Sequence, residues 1–227
     1  VKCGNAAFMQ TREDATALAK SMVATGCSLG MEVVAQVTEM DNPIGKMFGN
    51  SHEIVECIEC LNGKGPADTM ELVYAQADAL GYDIRSAIDD GSALAEFRSM
   101  CIRQGVSEND IDDIISNPWS KLSRAENSIE IKSSKSGWIS EVHALSIGEV
   151  LCKLGAGRTG ENPDIDHGVG AELLVLRGEY IEEGTPWIRF DTTNGMSQEM
   201  IDQVQNSLTL SENEVKPSSR ILQIITG

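Results

Sequence analysis

The stretch Val1-Lys2-Cys3-Gly4-Asn5-Ala6-Ala7-Phe8-Met9, answered further along by Met40-Asp41-Asn42-Pro43-Ile44-Gly45, decides how the first half of this chain folds. The first reads as the end of a strand breaking into a loop of small residues, and the second as the loop after the next strand. Between them Thr11 and Asp14, with Ala15, Leu18, Ala19, Met22 and Val23 at helical spacing, mark a capped amphipathic helix. It ends near Gly26 and lays its apolar stripe on a sheet. Strand, loop, helix and strand make one βαβ unit, and in open α/β sheets ligands sit at the carboxyl ends of such strands. Both loops are therefore expected to face one cleft. Met31 to Val37 (MEVVAQV), short and rich in valine, reads as a central parallel strand covered on both faces.

Beyond that unit, Asn50 and Glu53 form a second capping signature, for a helix carrying Ile54, Ile58 and Leu61 and stopped by Gly63. Pro66 opens another that runs through Met70, Leu72, Val73, Ala75 and Ala79 to Gly81. Helical patterns at 83–88, 92–104 and 107–115 complete a helical layer. Asn117-Pro118 and the polar run from Ser123 to Ser128 read as a boundary. After it come short strands at 128–131, 138–143, 173–176, 187–190 and 221–225, punctuated by Gly and Pro, with helices at 146–154 and 197–208. The expected class is α/β. Residues 1–125 form part of a mostly parallel-sheet α/β domain with its helical layer, and residues 126–227 a β-rich α+β carboxyl-terminal domain.

The 227 residues are 41% apolar, enough to bury a real core, and carry a net charge of −17. That charge works against a general attraction to nucleic-acid phosphates or anionic membrane surfaces, so neither is expected as a partner. No apolar run approaches the roughly 20 residues of a membrane helix. The start has neither the order of a signal peptide nor an initiating Met, and is expected to lie inside a longer protein. Cysteines at 3, 27, 57, 60, 101 and 152 read as reduced thiols of a cytoplasmic protein.

Cys57-Ile58-Glu59-Cys60 could be a redox pair or half a zinc site, but no second ligand pair exists for zinc and the motif falls in mid-helix, so two ordinary helix thiols are expected. His52, His143 and His167 lie beside no nucleophile motif; His52, in the first turn of a helix, reads as a solvated side chain. Asp110, Asp112 and Asp113 alternate with isoleucines and read as a solvated face. Leu154-Gly155-Ala156-Gly157-Arg158 reads as a glycine helix stop followed by a mobile surface loop to Asp166, whose arginine could contact an anion if the loop closed. Glu56 stands one turn into a helix that follows a loop whose carbonyls, around Ile44 and Met47, are freed by Pro43, Gly45 and Gly49. A carboxylate beside carbonyl oxygens is the ligand chemistry of a hard cation.

VKCGNAAFM, TREDATALAKSMV, MDNPIGKMFGNSHEIVE, GSALAEFRSM, LGAGR and VGAELLV with GTPWIRF, in this order and over nearly the whole chain, resemble the pyrimidine nucleoside phosphorylases. Within them the animal-type thymidine phosphorylases are the nearest pattern. The resemblance implies reversible phosphorolysis of thymidine by inorganic phosphate to thymine and 2-deoxyribose 1-phosphate. It also implies a homodimer made by a small helical domain, a large α/β domain across the cleft, and a carboxyl-terminal unit of hammerhead type. The family's phosphate site, its catalytic His and its base-holding Arg, Ser and Lys match segments upstream of Val1, so no catalytic residue is assigned in this chain. Phe8 matches the position that sets an apolar side chain against the base. Ile44 and Met47 by main-chain oxygen, and Glu56 by carboxylate, match a potassium site of the bacterial branch.

Two other readings compete. A non-catalytic binding or scaffold module with a lipoyl-like carboxyl-terminal domain would need a lysine in a tight hairpin, for which Lys132 and Lys135 are the available residues. A related phosphoribosyltransferase would need a pyrophosphate-binding segment that this chain does not show.

Overall fold

The computed structural model describes residues 1–158 and 164–227. The chain opens with strand β1 (Lys2–Cys3), helix α1 (Arg12–Ser28), β2 (Val34–Glu39), β3 (Met47–Phe48) and α2 (Asn50–Leu61). The helical layer follows as α3 (Ala67–Ala79), α4 (Ile84–Asp89), α5 (Ser92–Arg103) and α6 (Glu108–Ser116), then a single 3-10 turn at Pro118–Ser120. The remainder is β4 (Asn127–Lys132), β5 (Gly137–Val142), α7 (Ala144–Leu154), β6 (Gly170–Leu173), β7 (Tyr180–Ile181), β8 (Pro186–Thr192), α8 (Gln198–Gln205), β9 (Leu208–Ser211) and β10 (Ile221–Thr226). The class is mixed α/β with an α+β second part, as the sequence pattern led us to expect.

β1 runs parallel to β2 with Lys2 opposite Thr38, and α1 crosses between them, which is the βαβ unit read from the two opening stretches. Thr11 caps α1: its Oγ1 accepts from the Asp14 amide at 3.2 Å and donates to the Asp14 carboxylate at 2.8 Å. The inward stripe is narrower than expected. Ala15, Ala19, Val23 and Gly26 are buried, whereas Leu18 and Met22 face outward. Small side chains let the helix axis come close to the sheet, and that approach turns the larger residues of a broad apolar arc to its flanks.

The other edge of β2 is filled from the far end of the chain. β10 pairs with it antiparallel, Thr226 opposite Val34 and Ile221 opposite Thr38, so the three-stranded sheet β1-β2-β10 is mixed. The strand expected near 221–225 thus forms, but in the first sheet and not among the strands of the second part. β3 makes the reciprocal exchange by joining the four-stranded sheet β3-β6-β8-β4. A third sheet, β7-β5-β9, closes over it, and the main core lies between the two with α7 and α8. Trp187, Ile188, Phe190, Ile139 and Val150 are almost wholly buried there.

α2 departs from the expected pattern in two ways. Asn50 does not cap it; the cap position is Gly49 at φ 106°, and the Asn50 side chain donates instead through Nδ2 to the Ala156 carbonyl at 3.0 Å. Only the returning half of the capping box survives, Glu53 accepting from the Gly49 N–H at 3.3 Å. The buried face carries Ser51, His52, Val55, Glu56 and Ile58, while Ile54 is exposed. His52 is therefore not solvated. It is 2% exposed, with Nε2 2.9 Å from Oδ2 of Asp191 at the end of β8 and the Trp119 ring edge-on at 5.0 Å. Gly170 makes room for it, since a Cβ there would stand 2.1 Å from Nδ1.

Asp110, Asp112 and Asp113 do face solvent, paired with Lys121 and Arg98. Gly155 stops α7 at φ 111°, as read from the sequence. Of the surface loop expected from Arg158 to Asp166, residues 159–163 lie outside the described residues; Arg158 itself is exposed. Among the described residues no helix is long and apolar enough to cross a membrane.

Candidate active-site cleft

The two opening turns meet. Met40 N donates to Cys3 O at 2.7 Å, and Ala6 N to Met40 O at 3.4 Å. Asn5 grips Asp41 twice, its amide N on Oδ1 at 2.7 Å and its side chain on the carbonyl at 3.1 Å. Gly4, at φ 135°, permits this approach: a Cβ there would stand 2.7 Å from Asp41 Oδ1. Pairing β1 with β2 in parallel register brings their carboxyl ends to the same edge, so the loops that leave them share one side of the sheet.

On that side lies a cavity of about 750 Å³, lined among others by Lys2, Ala6, Ile44, Met47, Glu56 and Cys60. Three of the four residues singled out from sequence, Ile44, Met47 and Glu56, are brought together. Phe8 is not: it is fully exposed at the tip of its turn and takes no part in the lining.

Glu56 is the chemical centre of the cavity wall. It is 7% exposed, and its Oε2 accepts the N–H groups of Lys46 and Met47, each at 2.7 Å. The turn thus meets this carboxylate through main-chain N–H groups. The second oxygen, Oε1, has the Thr69 hydroxyl at 3.4 Å. Gly45, at φ 77°, covers it from above; a Cβ at that position would fall 2.0 Å from Oε1. Burial pushes the Glu56 carboxyl up, assisted by the charge of Asp68, and this outweighs the hydrogen bonds from Lys46, Met47 and Thr69 that pull it down. An acid so placed resists carrying an uncompensated negative charge. Around Oε1 the donors, a carboxylate oxygen with one weak partner and a hydroxyl, are hard oxygen atoms. Among the described residues no three His, Cys, Asp or Glu converge as a metal site.

The thiols of the CxxC stay ordinary. Burial raises Cys57, and burial together with the charge of Glu56 pushes Cys60 up to about 11. All six cysteines are free. The lysines considered for a carrier role find no hairpin: β4 and β5, which flank residues 133–136, belong to different sheets.

Three residues that no sequence pattern marked complete the site's surroundings: Asp68, Thr69 and Arg220. Asp68 and Thr69 sit in the first turn of α3, and Arg220 immediately before β10. Only Pro66, which places a helix start beside the cleft, was a usable signal for the first two.

Residues 138–211 match the family described as pyrimidine nucleoside phosphorylase C-terminal domain. Over its whole length the chain is 35% identical to a pyrimidine-nucleoside phosphorylase of Staphylococcus aureus strain bovine RF122 / ET3-1. It is 34% identical to the same-named protein of strain USA300, again with all of this chain aligned, and 34% identical over 96% of the chain to that of strain MSSA476. The chain spans about half the length of these curated relatives, 54% of the first two and 52% of the third.

Proposed function

We propose, for a chain that belongs to the pyrimidine nucleoside phosphorylase family, that residues 1–227 build one wall of the cleft in which a pyrimidine nucleoside reacts with inorganic phosphate. Thymidine is the preferred nucleoside in this reading. The observation that supports it is the convergence of the two strand-end turns and Glu56 on a single cavity of about 750 Å³.

Phosphorolysis breaks the bond between the pyrimidine nitrogen and the sugar C1 and forms a bond from a phosphate oxygen to C1. The electron pair of the broken bond leaves with the pyrimidine, which then takes up a proton. A site for this reaction must hold two ligands in contact, one of them strongly anionic, and exclude water that would divert the sugar to hydrolysis. In a chain of net charge −17 the phosphate needs local positive charge. Lys2 at the cavity's rim supplies one such charge. A potassium ion would be held by Glu56 with main-chain oxygens of Ile44 and Met47, and when bound would add positive charge beside the phosphate. Phe8, fully exposed, offers an apolar face for the base. The reading assigns this chain a wall of the cleft and no catalytic acid or base. A homodimer, with pyrimidine nucleoside and phosphate as its ligands, accompanies it.

The test is the absorbance change on thymine release from thymidine by the complete protein, with and without phosphate, repeated with uridine and deoxyuridine. Phosphate-dependent release from thymidine, exceeding that from uridine, is expected. Release that ignores phosphate, or none with any of the three nucleosides, would remove the reading.

A further inference from the structure

The turn 41–47 has open space on both faces: the cleft in front, and behind it a second cavity of about 380 Å³ lined by Asn42, Pro43, Asp68 and Arg220 among others. Side-chain packing therefore does not decide its shape. Polar clamps do: Val142 N donates to Asn42 Oδ1 at 2.9 Å, Ala144 N to the Asp41 carbonyl at 2.9 Å and Leu173 N to the Lys46 carbonyl at 2.8 Å, and a buried guanidinium gathers the turn's rear carbonyls. All five N–H groups of Arg220 are used: Nε on Asp68 at 3.2 Å, Nη1 on Glu39 and on the Asn42 carbonyl at 3.3 Å, and Nη2 on the Pro43 carbonyl and on Asp68 at 2.8 Å.

The two carboxylates it bridges pass the constraint on to the turn. Glu39 Oε1 accepts from the amides of Asp41 and Asn42, each at 2.8 Å, and from the Asn42 side chain at 3.0 Å. Asp68 Oδ2 accepts from Gly45 N at 3.3 Å. Burial pushes Glu39 up, but the bonds from Asn42 and the charge and bond of Arg220 outweigh it and hold the carboxylate ionised. The main chain of residue 220 is itself fastened, its N–H on Glu71 at 3.0 Å and its carbonyl accepting from Glu39 N at 2.8 Å. The β10–β2 pairing thus delivers one rigid cation to the back of the site turn, while Glu56 holds Lys46 and Met47 from the front.

We propose that Arg220 is a positioning residue for the cleft, fixing the main chain of residues 41–45 so that Ile44, Gly45 and Glu56 present one surface to an ion or substrate. The kinetic part of this inference rests on the phosphorolysis reading; the structural part does not. A lysine has three donors and no planar fork, and cannot satisfy these acceptors together.

The test uses the complete protein with Arg220→Met, Arg220→Lys and Arg220→Ala. In Arg220→Met and Arg220→Lys the amides of Asp41, Asn42 and Gly45 are expected to exchange hydrogen about tenfold faster or more, with the amides of Ala15 and Ala19 unchanged. The kcat for phosphorolysis is expected to fall about tenfold, with nucleoside KM moving less than about threefold. Millimolar guanidinium is expected to restore both properties in Arg220→Ala. Unchanged exchange at 41–45, full kcat with lysine, or no recovery with guanidinium overturns the proposal. A wild-type protein without phosphorolysis would sink the functional reading alone, and exchange with its guanidinium recovery would still decide the role of Arg220. If Arg220→Met does not fold, Glu39→Gln and Asp68→Asn remove its acceptors singly and are read the same way.

Discussion

His52 and Asp191, 139 residues apart in the chain, are in direct contact, Nε2 to Oδ2 at 2.9 Å, and each is only 2% exposed. Arg124 donates to the same carboxylate oxygen at 2.6 Å and stacks over Trp119, 4.9 Å from the ring centroid. This cluster fastens α2, which carries Glu56, to the end of β8. Burial pushes Asp191 up, yet the hydrogen bonds from His52 and Arg124 and the charge of Arg124 hold the carboxyl down at about 2.

Because the folded carboxyl titrates below its unfolded range of about 3.9, its stabilising contribution is complete above pH ~4. It drains away as the pH falls toward about 2. Asp191→Asn should lower stability at pH 7 by about 3 kcal/mol, since it removes the negative charge that Arg124 and His52 both face and puts an NH2 donor in place of one acceptor oxygen. Urea unfolding between pH 7 and 2 checks this. Wild type and variant losing stability in parallel from pH 4 to 2 would refute the assignment.

Gly45 holds a left-handed conformation with its missing side chain directed at Glu56 Oε1. Gly45→Ala should cost about 2 kcal/mol from the backbone alone, and displace the carboxylate from the amides of Lys46 and Met47. Thermal unfolding gives the first effect and amide chemical shifts of residues 46 and 47 the second. A variant with wild-type values in both would show that the turn is not clamped as described.

Glu56 titrates above the usual carboxylate range, so its ionisation opposes folding increasingly as the pH rises through that raised value, and the penalty is absent well below pH 4. A cation beside Oε1 would offset the penalty. Potassium chloride should therefore raise Tm more at pH 8 than at pH 5, compared with tetramethylammonium chloride of equal ionic strength. Glu56→Gln should abolish the difference. An identical gain at both pH values, or one that survives the substitution, would discard the ion.

Cys60 is pushed up to about 11 by burial and by the charges of Glu56, Cys57 and Glu59, whereas Cys27 and Cys152 are exposed. Iodoacetamide at pH 8 should label Cys27 and Cys152 before Cys60, because the thiolate is the reacting species. Mass spectrometry of peptides reads the order. Early labelling of Cys60, or a Cys57–Cys60 disulfide in air, would reopen a redox role for the pair.

Phe8 touches nothing that its removal would expose, so Phe8→Ser should change stability by less than about 0.5 kcal/mol. A contact with the base predicts a higher nucleoside KM with phosphate KM unmoved. An unaltered nucleoside KM would leave Phe8 without a part in binding.

Local chemistry was legible in the residue order. The Thr11 cap forms as its spacing predicts, and Asp83, Ser107 and Ser197, at the starts of the helical patterns, cap their helices in the same way, because a capping oxygen and the amide it accepts from are three residues apart. The two turns at the cleft, and Glu56 beside them, followed from strand, loop and helix succession within one βαβ unit. What the order of residues left open is whatever depends on partners supplied from far along the chain. His52 looks like a solvent-facing residue of an ordinary first helical turn until Asp191 and Gly170 close over it, and the depth at which Glu56 is buried shows only once the amides of residues 46 and 47 meet it. Arg220 looks like an isolated surface charge until β10 crosses to β2 and buries it against Glu39 and Asp68. Burial of a charge is stable only where the folded chain gathers its counter-groups, and no local pattern records that gathering.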